Sequence, residues 1–155
     1  MIAIADFELA IKDKLLAQRS ELPVYLESAP SEAGEPFFRV FHVSTLVSGI
    51  TSRMARYECE FKIYCHGVER APGEEEKTGA LDLQQAAIDA FEAGFIELGG
   101  RTLAVSLEAV CKNNEEPSCV RVTVQYDDNR AVLQRPDSKG ELIREVNTRL
   151  YQEEL

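Results

Sequence analysis

The chain has no tryptophan and only two histidines, His42 and His66, so a multi-histidine metal site has little to draw on. No apolar run approaches the ~20 residues of a membrane-spanning helix. Basic residues are also short, 17 against 27 acidic, giving a net charge of -10. A duplex-DNA reader needs a cationic face to displace counterions, and this balance argues against gripping nucleic acid. It leaves open a protein that DNA merely passes, because like charge prevents sticking. The glycine patterns of a P-loop, a dinucleotide site or a nucleophile elbow are missing; Gly99-Gly100 suits a turn instead. The first residues carry Asp6 and Glu8 and lack a basic leader, so they are not expected to be a signal peptide. Four cysteines in that context are expected to be free thiols in a reducing compartment.

What is present reads as one α+β unit. Ile4, Phe7, Ile11 and Leu15 recur at helical spacing and predict a helix over residues 3–18. Leu22–Ser28 predicts a short strand entered through Pro23, suited to a sheet edge. A loop over Ala29–Pro36 precedes a strand over Phe37–Ser44, with Gly49 as a turn or bulge. Arg56–Val68 is a further strand, and the segment His66–Gly79 is a loop holding Glu74, Glu75 and Glu76. A second helix is expected to show Leu81, Ile88, Phe91 and Phe95 on one face, with Asp82 in its first turn. Phe95–Val110 predicts a hairpin turning at Gly99-Gly100. Cys119–Tyr126 alternates as a last strand, with Asp127-Asp128 expected as a turn. Short connections and alternating patterns imply a mainly antiparallel sheet of about four to six strands with helices packed on one face. Residues 1–133 would form this unit. Residues 134–155 would be a linker and an amphipathic helical arm, with Ser138 and Glu141 as a capping box and Leu142, Val146 and Leu150 as its stripe.

The run Arg56–Val68 holds Cys59, Cys65 and His66, the best local candidate for metal or thiol chemistry. Strand geometry argues against it. Tyr57, Cys59, Phe61, Ile63 and Cys65 share one face, and Glu58, Glu60, Lys62, Tyr64 and His66 the other. Two thiols ~20 Å apart along a strand cannot share a zinc ion with ~2.3 Å bonds. Both cysteines are expected in the core. By parity Cys111 should face inward and Cys119 outward, unless a bulge near Ala109 intervenes. His42 is expected as a satisfied or half-exposed strand residue. The three adjacent carboxylates Glu74, Glu75 and Glu76 lack the spacing of a calcium loop. No catalytic residue, cofactor or metal is assigned, and an enzyme is not expected.

The order of these segments resembles the phage tail terminator family, of the type found in prophages of Gram-positive bacteria. The resemblance is carried by "DFELAIKDKLLAQ", "LPVYLES", "EPFFRVFHVS", "RMARYECEFKIYCHG", "LQQAAIDAFEAGF", "IELGGRTLAVSLEAV" and "VRVTVQYDD", over about residues 5–130. It implies a structural, non-enzymatic cap that closes as a hexameric ring on a growing tail tube, ends tube polymerisation and joins the tail to the head-side connector. The implied partners are further copies of the chain, the tail tube protein, and sheath and head-tail connector proteins. DNA would pass through the ring without sequence-specific binding, no membrane would be involved, and the location would be the virion tail, assembled in the host cytoplasm. The arm departs from the shorter family pattern, and apart from the resemblance the expected contact residues are Leu142, Val146 and Leu150 of the arm and Glu74, Glu75 and Glu76 of the loop. Two other classes stand beside this one: another neck or tail-completion component of a phage or contractile bacteriocin-like particle, and a small α+β ligand-binding domain or thiol enzyme.

Overall fold

The computed structural model describes residues 2–27, 35–68, 79–111 and 117–129. The chain folds as α1 (Ile4–Gln18), β1 (Val24–Leu26), β2 (Phe37–Gly49), β3 (Met54–His66), α2 (Ala80–Ala90), β4 (Phe95–Leu98), β5 (Arg101–Val110) and β6 (Cys119–Asn129). The strands form one six-stranded sheet in the order β1-β2-β3-β6-β5-β4. β1 runs parallel to β2 and every other pairing is antiparallel. The fold is therefore α+β with a mixed, mostly antiparallel sheet, as the alternating patterns imply. The expected arm and the site residues Leu142, Val146, Leu150, Glu74, Glu75 and Glu76 lie outside the described residues.

α1 forms where its apolar stripe requires it. Phe7, Ile11 and Leu15 are fully buried, and the Arg19 N–H closes the last turn on the Leu15 carbonyl at 2.9 Å. Pro23 follows and marks the switch to extended chain. The Gly99-Gly100 turn adopts positive φ at both residues, 55° and 74°, which glycine takes without a Cβ penalty and which matches the twist of a two-residue hairpin. β3 and β6 are the centre of the sheet, paired from Met54↔Asn129 to Tyr64↔Cys119. Their inward side chains, Tyr57, Cys59, Phe61 and Ile63 on β3 with Val120, Val122, Val124 and Tyr126 on β6, meet Phe7, Ile11 and Leu15 of α1 and Leu83 and Ala87 of α2 in one core. The opposite sheet face carries Glu58, Glu60, Lys62, Tyr64 and His66, the division that strand parity predicts.

Several local expectations are corrected. β2 runs on to Gly49 rather than ending at Ser44, because the register slips between His42 and Ser44 and the alternation restarts beyond that bulge. α2 ends at Ala90, and Phe95 belongs to β4. Its buried face is Leu83, Gln84, Ala86 and Ala87, followed by Phe91, whereas Leu81 is 71% exposed. Asp127 and Asp128 lie inside β6, where Arg56 donates to Asp127 at 2.9 Å and Arg101 approaches Asp128 at 3.5 Å. The cysteine parity is reversed: Cys111 is exposed just past the end of β5, and Cys119 is fully buried. Ser118, Cys119 and Val120 are buried in succession, so the chain enters β6 already inside the fold, before alternation begins.

One buried carboxyl escaped the helical pattern. Glu8 of α1 is only 6% exposed and hydrogen-bonds to Glu27, the residue after β1, which itself has a positive φ of 62°. Burial, then the bond to Glu27 and the charge of Glu27, all push the Glu8 carboxyl above the ordinary 4.5. A raised folded pKa favours the protonated form, so its stabilising effect is complete below the unfolded value and lost as pH rises through the folded one. Glu8→Gln keeps a hydrogen-bonding amide without the charge. It should raise Tm at pH 7 by roughly 2–4 °C, the shift expected for a net gain near 1 kcal/mol. Scanning calorimetry at pH 7 and pH 4 should show this gain narrowing in acid; a gain that grows in acid would refute the assignment.

Candidate assembly surface

The described surface concentrates its large apolar residues in one place. Phe41, Val43, Leu46, Val47 and Ile50 are all exposed, with Leu46 at 59% and Val47 at 54%. All but Ile50, which begins the following turn, lie on the half of β2 that continues past the end of β1, which pairs only with Phe38, Arg39 and Val40. Among the described residues, the backbone from Phe41 to Gly49 pairs with β3 alone, so its other side is an open edge. Leu46 stands opposite Glu58 on the uncovered face and Val47 opposite Tyr57 on the core side. The free half of β2 therefore carries exposed apolar side chains on both of its faces, beside the charged residues Glu58, Glu60 and Lys62 of β3 on the uncovered one. Soluble monomers usually protect such edges with charge, proline or a covering element. Here the stretch from Phe41 to Ile50 contains no charged residue other than the titratable His42.

The bulge in β2 has internal support. His42 Nε2 lies 2.8 Å from Thr45 Oγ1, and that hydroxyl donates to Cys59 Sγ at 3.6 Å. The His42 ring also rests against Phe61, with centroids 5.3 Å apart. This chain of polar contacts bridges the slipped register and fixes the direction of the strand beyond it. It has little nucleophilic capacity. Burial pushes the Cys59 thiol up, with the Thr45 hydroxyl partly opposing, and the same burial plus the nearby Cys119 takes Cys65 to about 12. Thiolate is the reactive form, so both groups are held in the inert one.

A cationic and aromatic cluster occupies the lower part of the uncovered face. The Arg39 guanidinium lies 4.7 Å above the Tyr64 ring centroid and 5.9 Å from that of Phe41. Phe37 stacks on His66 at 4.4 Å and meets Tyr25 edge-on at 5.3 Å. Burial, then the charge of Arg39, lower the His66 pKa and keep the ring neutral. Among the described residues the buried Arg39 Nε finds no hydrogen-bond acceptor. A shallow depression of about 500 Å³ beside His66 is lined by Gly67, Gly79, Ala80 and Asp82. Among the described residues no three His, Cys, Asp or Glu side chains are grouped to hold a metal ion, and no helix is long and apolar enough to cross a membrane.

The residues that stand out here, Phe41, Val43, Leu46 and Val47, were missed by pattern reading. For Leu46 and Val47 the sequence signal was the excess of apolar residues after the expected strand end at Ser44, in "TLVSGI", whereas Phe41 and Val43 lay inside the expected strand. No family model and no curated protein matches this chain. A solved structure known only by a serial identifier shares 15% identity over 81% of this chain and 92% of its own, with a TM-score of 0.40, too distant to bear on fold or function.

Proposed function

We propose that this chain is a structural tail terminator, a cap that assembles with copies of itself into a ring at the end of a phage-type tail tube. The observation that carries the reading is the apolar second half of β2, Phe41 to Gly49 with Ile50 just beyond, whose outer edge is open among the described residues. An edge strand with exposed apolar side chains on both of its faces suits a contact made on assembly better than a surface left in water. The family resemblance over residues 5–130 supplies the kind of assembly, a six-membered ring that ends tube growth and meets the head-side connector. The inert thiols Cys59 and Cys65 favour this reading over a thiol enzyme. The net charge of -10 fits a ring through which DNA passes without adhering. The partners in this reading are the tail tube protein, further copies of the chain, and the sheath and connector proteins, and the location is the virion tail.

Native mass measurement and negative-stain imaging, with the protein alone and mixed with tail tubes, test the proposal. A closed ring of six copies on tube ends is the expected result. A protein that stays monomeric both alone and on tubes would end the terminator reading.

A further inference from the structure

We propose that the ring closes by sheet addition, with the open edge of β2 in one copy pairing antiparallel with the open edge of β5 in the next. The proposal rests on the ring reading above and names its interface. β4 pairs with Arg101–Ala104 only, so among the described residues Ser106–Val110 has no backbone strand partner besides β6. The sheet thus has two incompletely covered borders on opposite sides. A closed cyclic assembly needs two such different patches, because one copy's first surface must meet its neighbour's second.

Direction and height agree. β2 is antiparallel to β3, β3 to β6, and β6 to β5, so β2 and β5 run in opposite senses. A rotation about an axis along the strands preserves those senses and brings β5 antiparallel to the neighbour's β2. Rows of paired residues cross the sheet as Phe41–Lys62–Arg121–Glu108 and Ser44–Glu60–Thr123–Ser106. The two open edges therefore overlap in height. Pairing them level sets Glu108 opposite Phe41 of the next copy, on the same face as Arg39 and one row from it. Diagonal neighbours across an antiparallel pair are within reach of long side chains. Arg39 is held on Tyr64 and Phe41, and its Nε has no acceptor among the described residues. The addition would give that cation a carboxylate and bring Leu107, half-buried, opposite His42 and beside Val43.

In a Cys111→Ser background, Ser44→Cys with Ser106→Cys should give a covalent ladder reaching six copies under mild oxidation. Ser106→Cys or Ser44→Cys alone should give no ladder. Arg39→Glu should weaken assembly at least about tenfold, and adding Glu108→Arg should restore it. Leu46→Lys should weaken assembly by a similar factor while the monomer keeps its Tm. Normal rings without a ladder, with Leu46→Lys assembling like the parent, would overturn the edge pairing and leave the terminator reading intact. A ladder that stops at two, or one that appears only after residues 130–155 are removed, would overturn it as well. The first outcome means a closed pair, and the second means that the chain's own C-terminal residues occupy the edge. Monomers under every condition, tubes included, would remove the terminator reading together with this interface.

Discussion

Phe7→Ala should cost about 3–5 kcal/mol of folding stability, the range for emptying a fully buried aromatic site. Phe7 is 0% exposed, and its ring lies 5.7 Å from Phe61 and 5.8 Å from Tyr126, measured between centroids. It therefore joins α1 to both central strands at once. Truncation leaves a void against rigid β3 and β6 backbones, which cannot collapse to fill it. Against a total of about 5–15 kcal/mol for a domain, this is a large fraction. Leu9, on the same helix and 50% exposed, is the control: Leu9→Ala should stay within about 0.5 kcal/mol. Urea unfolding measures both, and the midpoint should fall without a change in slope. Equal losses for the two variants would mean that α1 does not dock through Phe7.

Gly67→Ala should be the other severe substitution, at about 2–3 kcal/mol. A Cβ at Gly67 would stand 2.2 Å from the Ala80 nitrogen and 2.5 Å from the Gly79 carbonyl carbon. These are backbone atoms at the start of α2, so relief requires moving the helix or the end of β3. Gly79→Ala offers a matched comparison, because nothing lies within 4 Å of a Cβ there. That change should cost less than about 1 kcal/mol, the scale of an N-cap adjustment. Thermal melts of the pair decide the matter. If Gly79→Ala proves as damaging as Gly67→Ala, close approach of the two segments is not the reason.

Much of the fold was legible because β3 and β6 obey strict alternation. Tyr57, Cys59, Phe61 and Ile63 had to share a face, and that alone disposed of a metal site. α1 was equally plain from Phe7, Ile11 and Leu15. α2 was misread because Ala86 and Ala87, small residues that a search for bulky side chains passes over, share its buried face with Leu83, while Leu81 points to solvent. β2 was cut short because the bulge at Val43 interrupts the two-residue period, and Ser44, Thr45 and Ser48 dilute the apolar signal of the strand's second half. The candidate surface was hidden for a deeper reason. Pattern reading assigns apolar residues to the interior by default, so Leu46 and Val47 could not announce themselves as exposed before the reach of β1 was known. The parallel placement of β1 beside β2 is a long-range choice that no local signal encodes.

The pairing of β3 with β6 also sets the order in which the molecule can form. Tyr57 meets Tyr126 across a separation of about 70 residues, so the middle of the sheet joins parts of the chain that are remote in sequence. β2 and β3 are separated only by a four-residue turn, Ile50–Arg53, and can zip together early. Closing the centre carries the loop-entropy cost of distant contacts, which places folding on the slow, millisecond-to-second side for domains of this kind. Until β6 arrives, the hairpin holds Phe61 and Ile63 bare on one face and leaves two open edges. Rapid synthesis at high temperature would accumulate that intermediate and favour its aggregation, whereas slower production would give β6 time to take its place between β3 and β5.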